Sequence, residues 1–378
     1  MKRNLQNDIK KITPDTLNTI MMEEKLLFNS DLEEEHIQII LGENTNLLVL
    51  EDTKYEWAVK VYDAMVNVRW TKEDVSMIDD PLTYAKLSIE EKEAYDGTLC
   101  FLVFLDSLQV NNVANVSKYI TAPEVVLCYA EQTGIEAQHS YIYQHIFQSL
   151  KLKRDEILKI YYMYKEIDLL KSRNEYIAKI YQDFVDHKSL INYIRSFIAD
   201  LLLEGLYFYN GFLYFYSLAA RGLVMGTSGN IKLINKDELF HTIIYQNTLR
   251  NILELMDDDA KLIVYNLIFE MTDIAINQEI EWSVYMYGNG KILGFTNMSI
   301  SEYTHYLAFK NIIEPIIDKN ILSSELLEKY TKFSKYTNPY KHITSIANLE
   351  GSEAKGGFFE NSNVDYLTVA VFDDFNSL

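Results

Sequence analysis

One short pattern occurs twice and restricts the fold more than any other feature: Glu-x-x-His, as Glu136-Ala137-Gln138-His139 and again as Glu238-Leu239-Phe240-His241. On a helix, residues three apart lie on adjacent turns of one face, so each copy presents a carboxylate and an imidazole to the same neighbour. Local signals put both copies in long helices. Pro123, suited to a first helical turn, opens one that runs to about Leu150 and lines up Glu136, His139, Tyr143 and Ile146. Another, starting near Asn230, sets Ile234, Asp237, Glu238, His241 and Tyr245 on one side.

Two further helices carry carboxylates inward. Ser88-Ile89-Glu90-Glu91 is a capping box that opens a helix whose apolar stripe, Leu99, Leu102, Val103, Val110 and Val113, takes in Asp106. A helix from about Ser189 to Leu223 places Glu204 on a face with Phe197, Leu201, Phe208 and Phe215. A carboxylate in an apolar core without a partner costs several kcal/mol, so six ionisable groups on inward faces need compensation, and metal cations supply it. Paired Glu-x-x-His helices with one carboxylate from each of two others are the arrangement of di-iron and di-manganese carboxylate bundles. The candidate ligands are therefore Asp106, Glu136, His139, Glu204, Glu238 and His241. Four carboxylates and two imidazoles suit two divalent first-row ions, with one imidazole per ion leaving room for dioxygen. Zinc fits less well, since neither Cys100 nor Cys128 has a neighbouring ligand at zinc spacing. A lone Glu-x-x-His is usually a solvated pair; two on buried faces are not. His36, His145, His187, His305 and His342 lack such a context and read as surface or packing residues.

Composition agrees with an all-α chain. Five Pro and 14 Gly in 378 residues force few turns, and 48% hydrophobic residues suffice for a large core. Breaks fall at Asp79-Asp80-Pro81, Gly288-Asn289-Gly290 and Asn338-Pro339. The division expected is an N-terminal arm over 1–50, partly irregular, a helical metal-binding domain over 51–349 and a flexible tail over 350–378. Thirty-five Lys and Arg against 55 Asp and Glu give a net charge of -20, which argues against nucleic-acid binding. Two cysteines make no disulfide framework and fit a reducing cytoplasm. No segment reads as the roughly 18 apolar residues of a membrane span, so a soluble, cytoplasmic protein is expected.

The same segments resemble the small (beta), radical-generating subunit of class I ribonucleotide reductases, in order and spacing from about Lys54 to Asn320. The carriers are Phe104-Leu105-Asp106-Ser107-Leu108-Gln109, Leu203-Glu204-Gly205 with Phe208 and Phe212, and Asn235-Lys236-Asp237-Glu238-Leu239-Phe240-His241. The resemblance implies a ferritin-like helical bundle with additional helices and a di-metal carboxylate site, forming a homodimer. It implies two iron ions, oxo- and carboxylate-bridged, with di-manganese and a flavoprotein activase as the alternative. It also implies a stable tyrosyl radical at Tyr143, four residues beyond His139, in an apolar pocket with Phe208, Phe212 and Ile234. Trp70, Asp237, His139 and Tyr366 match a radical-transfer route to a large (alpha) catalytic subunit that reduces ribonucleotides to deoxyribonucleotides for DNA synthesis; Glu360 matches an acidic tail residue of that relay. Phe372, Phe375 and Leu378 are the implied docking anchors of the tail. One departure stands out: many such subunits have a Trp shortly before the second-helix glutamate, where this chain has Gln132 and Thr133, so electron delivery during cofactor assembly is expected to differ. Competing readings are a di-metal oxidase or oxygenase acting without a partner subunit, and an iron-storage or purely structural bundle.

Overall fold

The computed structural model describes residues 11–344, and among these every regular element is helical, the β pairing being isolated bridges. In chain order the helices are α1 (Pro14–Thr19), α2 (Glu56–Asn67), α3 (Asp80–Tyr84), α4 (Ile89–Val116), α5 (Pro123–Ser149), α6 (Arg154–Tyr161), α7 (Asp168–Asp186), α8 (Leu190–Leu202), α9 (Tyr209–Ala219), α10 (Met225–Glu254), α11 (Asp258–Tyr287), α12 (Asn297–Leu307), α13 (Glu314–Ile316), α14 (Ser324–Phe333) and α15 (Lys341–Thr344). Tyr366, Glu360 and the tail anchors Phe372, Phe375 and Leu378 lie outside the described residues.

Helix starts follow the local chemistry where it is local. Ser88 Oγ accepts from the Glu91 N–H at 3.2 Å while Glu91 Oε2 accepts from the Ser88 N–H at 2.9 Å, closing the capping box of α4. Pro123 occupies the first turn of α5. α4 packs along α5, α2 covers α5 and α10, and α10 also lies against α8 and α9. α11 crosses behind α8, α7 and α4. One apolar core runs through all of them, and Ile12, Leu17, Met22, Ile39 and Ile40 tie residues 11–50 into it. Backbone bonds from Ile12 to Leu255 (2.9 Å) and from Met22 to Lys188 (2.7 Å) fix that segment on the bundle.

Three features differ from the sequence reading. The helix expected over 189–223 is two helices, α8 and α9, joined by a π-helical turn at Leu203–Tyr207 that contains Glu204. α10 begins at Met225 and not near Asn230, because its first N–H groups are capped from far away: Asp80 accepts from Gly226 N–H at 2.8 Å and Thr227 N–H at 2.6 Å. The helical stretch Ile89–Tyr119 is, by length and composition, apolar enough to cross a membrane. Its most apolar window is 61% buried inside the structure, so its hydrophobicity serves helix packing.

Candidate metal centre

Four helical segments converge on one point in the core. α4 contributes Asp106, α5 Glu136 and His139, the π-helical turn Glu204, and α10 Glu238 and His241, all fully buried. They form two quartets, Asp106–Glu136–His139–Glu238 and Glu136–Glu204–Glu238–His241, with ligand atoms within 4.8 Å of one another in each. Glu136 and Glu238 belong to both, so each could serve two ions. His139 Nδ1 lies 3.2 Å from Glu238 Oε1, 3.6 Å from Glu136 Oε2 and 3.8 Å from Asp106 Oδ2. His241 Nδ1 lies 2.7 Å from Glu238 Oε2, 3.0 Å from Glu136 Oε1 and 3.5 Å from Glu204 Oε2.

These atoms fit cations on the chemistry of the donors. Both oxygens of Asp106, Glu136 Oε2, Glu204 Oε2, Glu238 Oε1 and His139 Nδ1 are buried with no hydrogen-bond partner. Buried polar atoms are nearly always satisfied, and a cation in each quartet would satisfy these together. Without cations, protons must do so. Burial, then the neighbouring carboxylates, pushes Asp106 and Glu204 well above the carboxylate range. Burial disfavours the charged imidazoles, yet the carboxylates around His139 and His241 outweigh it and hold both well above the ordinary histidine value. Burial would likewise raise Glu238, but those two imidazoles outweigh it and hold it low.

Around the ligands lies a set of polar side chains. Asp237 Oδ2 sits 3.0 Å from His139 Nε2, the nitrogen facing away from the quartets, and accepts from Trp70 Nε1 at 2.8 Å. That bond leaves Nδ1 as the imidazole nitrogen that faces the two quartets. The Trp70 and His139 rings stack at 6.3 Å. Gln109 Nε2 donates to Glu204 Oε1 at 2.6 Å, and Gln132 Nε2 donates to the same oxygen at 3.1 Å and to Glu136 Oε1 at 3.3 Å. Tyr181 Oη lies 3.3 Å from Gln109 Oε1 and 2.5 Å from Asp200 Oδ1, and Asn112 Nδ2 donates to both Asp200 oxygens. Burial pushes the Asp200 carboxyl up to about 8.

The family model for the ribonucleotide reductase small chain matches residues 47–312. This chain belongs to the ribonucleotide reductase small-chain family. A ribonucleoside-diphosphate reductase subunit beta from Treponema pallidum is 32% identical over 364 residues, covering 94% of this chain and 98% of its own. The counterpart from Halalkalibacterium halodurans is 27% identical, covering 94% and 99%. A solved ribonucleotide reductase R2 subunit from Clostridium botulinum superposes with a TM-score of 0.73 at 32% identity, covering 84% of this chain and all of that one. Membership makes this chain a subunit of an oxidoreductase, and the ferritin-like helical fold and a di-metal centre agree with it.

All six expected ligands come together, and Asp237 and Trp70 join them through His139. Tyr143 is fully buried with its hydroxyl unbonded, and Asp106, Glu238 and Glu136 are the charges that, after burial, push its phenol well up. Phe208, Phe212 and Ile234 are buried, the two phenylalanines stacked at 5.6 Å. The five remaining histidines belong to neither quartet. The bonds that Gln109, Gln132, Tyr181, Asp200 and Asn112 make around the site were not anticipated, although Gln132 stands out in the sequence where the family often has a Trp. A signal existed for two of them: Gln109 is three residues beyond Asp106 and Gln132 four before Glu136, on the same inward faces. Neither the roughly 420 Å³ cavity beneath residues 21–46 nor the smaller one beside Glu124 is lined by a candidate ligand.

Proposed function

We propose that the chain is the radical-generating half of a ribonucleoside-diphosphate reductase. Asp106, Glu136, His139, Glu204, Glu238 and His241 hold two iron ions, Tyr143 houses a stable radical, and the hole passes to a large catalytic subunit that reduces ribonucleotides. Support comes chiefly from the unbroken hydrogen-bonded line His139–Asp237–Trp70, at 3.0 and 2.8 Å. A partner-less oxidase would use Asp237 to orient His139, whereas the continuation of the line to the Trp70 indole serves transfer out of the centre.

When bound and oxidised, the ion pair supplies the one-electron oxidant. Tyr143 keeps its proton on Oη at neutral pH because burial and then the carboxylates raise its pKa, so its oxidation removes electron and proton together. The buried side chains of Phe208, Phe212 and Ile234 keep water and reductants from the core around it. Asp237 Oδ2 holds the protons of both His139 and Trp70, which keeps the two rings in register for transfer. In this reading residues 51–349 carry the centre, two copies form the homodimer, and the 350–378 tail engages the large subunit through Phe372, Phe375 and Leu378, with Tyr366 as outer relay. The setting is the cytoplasm.

Electron paramagnetic resonance of the iron-loaded, oxygenated chain tests the radical. A tyrosyl signal should appear and be lost in Tyr143→Phe with metal content unchanged; the same signal in that variant would refute the assignment. Trp70→Phe should keep the signal and lose turnover with the large subunit. Metal analysis after purification from the native host separates iron from manganese.

A further inference from the structure

Glu204 is the one candidate ligand that does not sit on a regular α-helix. In a π-helical turn the hydrogen bonds reach one residue further than usual, which leaves main-chain carbonyls without their ordinary partners. Buried carbonyls must then be satisfied by other groups. Here Asn311 Nδ2 donates to the Gly205 carbonyl at 2.7 Å and Arg173 Nη2 to the Tyr207 carbonyl at 3.2 Å. Asn311 lies in a second π-helical turn, Ala308–Ile313, packed directly against the first. Its own carbonyl accepts from Gln246 Nε2 at 2.8 Å. Gln246 belongs to α10, the helix that supplies Glu238 and His241. Asn311 thus ties its main chain to the helix of two ligands and its side chain to the turn of a third. Gly205 makes the approach possible, since a Cβ there would meet Ile312 Cδ1 at 3.0 Å and Asn311 Cβ at 3.1 Å.

We infer that Asn311 is a positioning residue for one of the two metal sites. It sets the separation of Glu204 from the Glu238 and His241 pair, and so governs the Glu136–Glu204–Glu238–His241 site while leaving the Asp106–Glu136–His139–Glu238 site alone. The inference rests on Glu204 being a ligand, as proposed above. Gln109 and Gln132 hold the carboxylate end of Glu204 through its Oε1; Asn311 holds the backbone end.

Manganese(II) titration of the full chain, followed by electron paramagnetic resonance, tests this without turnover. The aquated-ion signal gives occupancy, and magnetic coupling between two bound ions marks filling of the second site. Asn311→Leu removes the donor at similar volume. It should weaken the second ion about tenfold or more, the usual effect of losing an outer partner of a ligand. First-ion affinity should stay within about twofold, so a singly loaded, uncoupled species persists through the titration. Gly205→Ala, which forces the two turns apart, should give the same selective loss. A role confined to general stability would weaken both ions together, or lower the melting temperature with both affinities unchanged, and either result overturns the inference. If Asn311→Leu does not fold, Asn311→Asp keeps the shape while setting an oxygen against the Gly205 carbonyl. Glu204→Gln is the control. If it retains the second ion, Glu204 is not a ligand; if it loses that ion while the Asn311 variants bind as the parent does, the positioning role falls.

Discussion

Metal loading of this centre should expel about four protons, a number that follows from charge balance in a dry core. Six ionisable groups share one fully buried cluster, and a net charge there costs several kcal/mol. Without metal, His139 and His241 are held protonated by the carboxylates, and Asp106 and Glu204 are held protonated by burial. Charge balance in the buried cluster then calls for two ionised carboxylates against the two imidazolium charges. With two divalent ions, four ionised carboxylates and two neutral imidazoles again sum to zero. The exchange is two dications in and about four protons out, one each from Asp106, Glu204, His139 and His241.

The consequence is steep. Each released proton changes the loading free energy by about 1.4 kcal/mol per pH unit, so four give about 5.5 kcal/mol, or roughly ten-thousand-fold in the two-ion constant between pH 7 and pH 6. The sign is loss of affinity as pH falls. Calorimetry of manganese(II) or iron(II) binding under anaerobic conditions, in buffers of differing ionisation enthalpy, gives the proton count directly. Fewer than two protons released, or loading that barely responds to pH, would refute the neutral-cluster argument. Chelation should also lower the melting temperature, by an amount that grows with the free-metal concentration of the loaded reference.

Three other perturbations probe the surroundings. Gln132→Leu deprives Glu204 and Glu136 of a shared donor and should weaken metal binding about tenfold in the same titration; unchanged affinity would mean Gln109 suffices. Arg173 and Glu279 form a fully buried ion pair, the guanidinium lying over the Phe101 ring at 3.6 Å. Arg173→Met should cost about 3–5 kcal/mol in denaturant unfolding, less at pH 5 than at pH 8 because Glu279, already pushed up to about 7 by burial, can take a proton; adding Glu279→Leu should restore most of the loss. Asp96, which accepts from Tyr84 Oη at 3.1 Å, is pushed up to about 6 by burial, so its ionisation opposes folding. Below the unfolded value near 4 that penalty is absent, and it develops as pH rises through 6. Asp96→Asn should therefore leave stability unchanged at pH 3.5 and raise it by as much as about 2–3 kcal/mol at pH 8.

The candidate ligands that the fold brings together were legible in the sequence because each obeys a rule that spans a turn or two of chain. Glu136 and His139, or Glu238 and His241, need only three residues of spacing, and Asp106 needs only the stripe that surrounds it. Helix starts were legible on the same terms. Ser88 and Pro123 act on the residues beside them, and α4 and α5 begin where they predict. Asn230 has the local look of a start, but α10 begins five residues earlier because the groups that cap it belong to Asp80, 146 residues away. Gly222 at φ +72° and Val224 at φ +45° turn the chain immediately ahead of it, and a non-glycine residue in that conformation is not foreseeable from side-chain pattern.

The π-helical turn at Glu204 was hidden for a related reason. From Leu201 to Phe215 only Glu204 and Asn210 break an apolar, aromatic and glycine run that is buried throughout, so the 3.6-residue period is too faint to reveal a one-residue slip. The slip is stabilised by Asn311 and Arg173, whose identities carry no mark of that task. Gln132 makes the same point at the centre itself. Read against the family pattern, it registers as the loss of a tryptophan near the ions; in the fold, its amide reaches Glu204 across 72 positions of chain, and Gln109 reaches the same oxygen across 95. An indole offers one donor, whereas a primary amide offers two, and Gln132 uses its amide on two different ligand carboxylates. A Gln132→Trp exchange would remove both bonds, so any effect it has on electron delivery would come together with a change in how Glu204 and Glu136 are held.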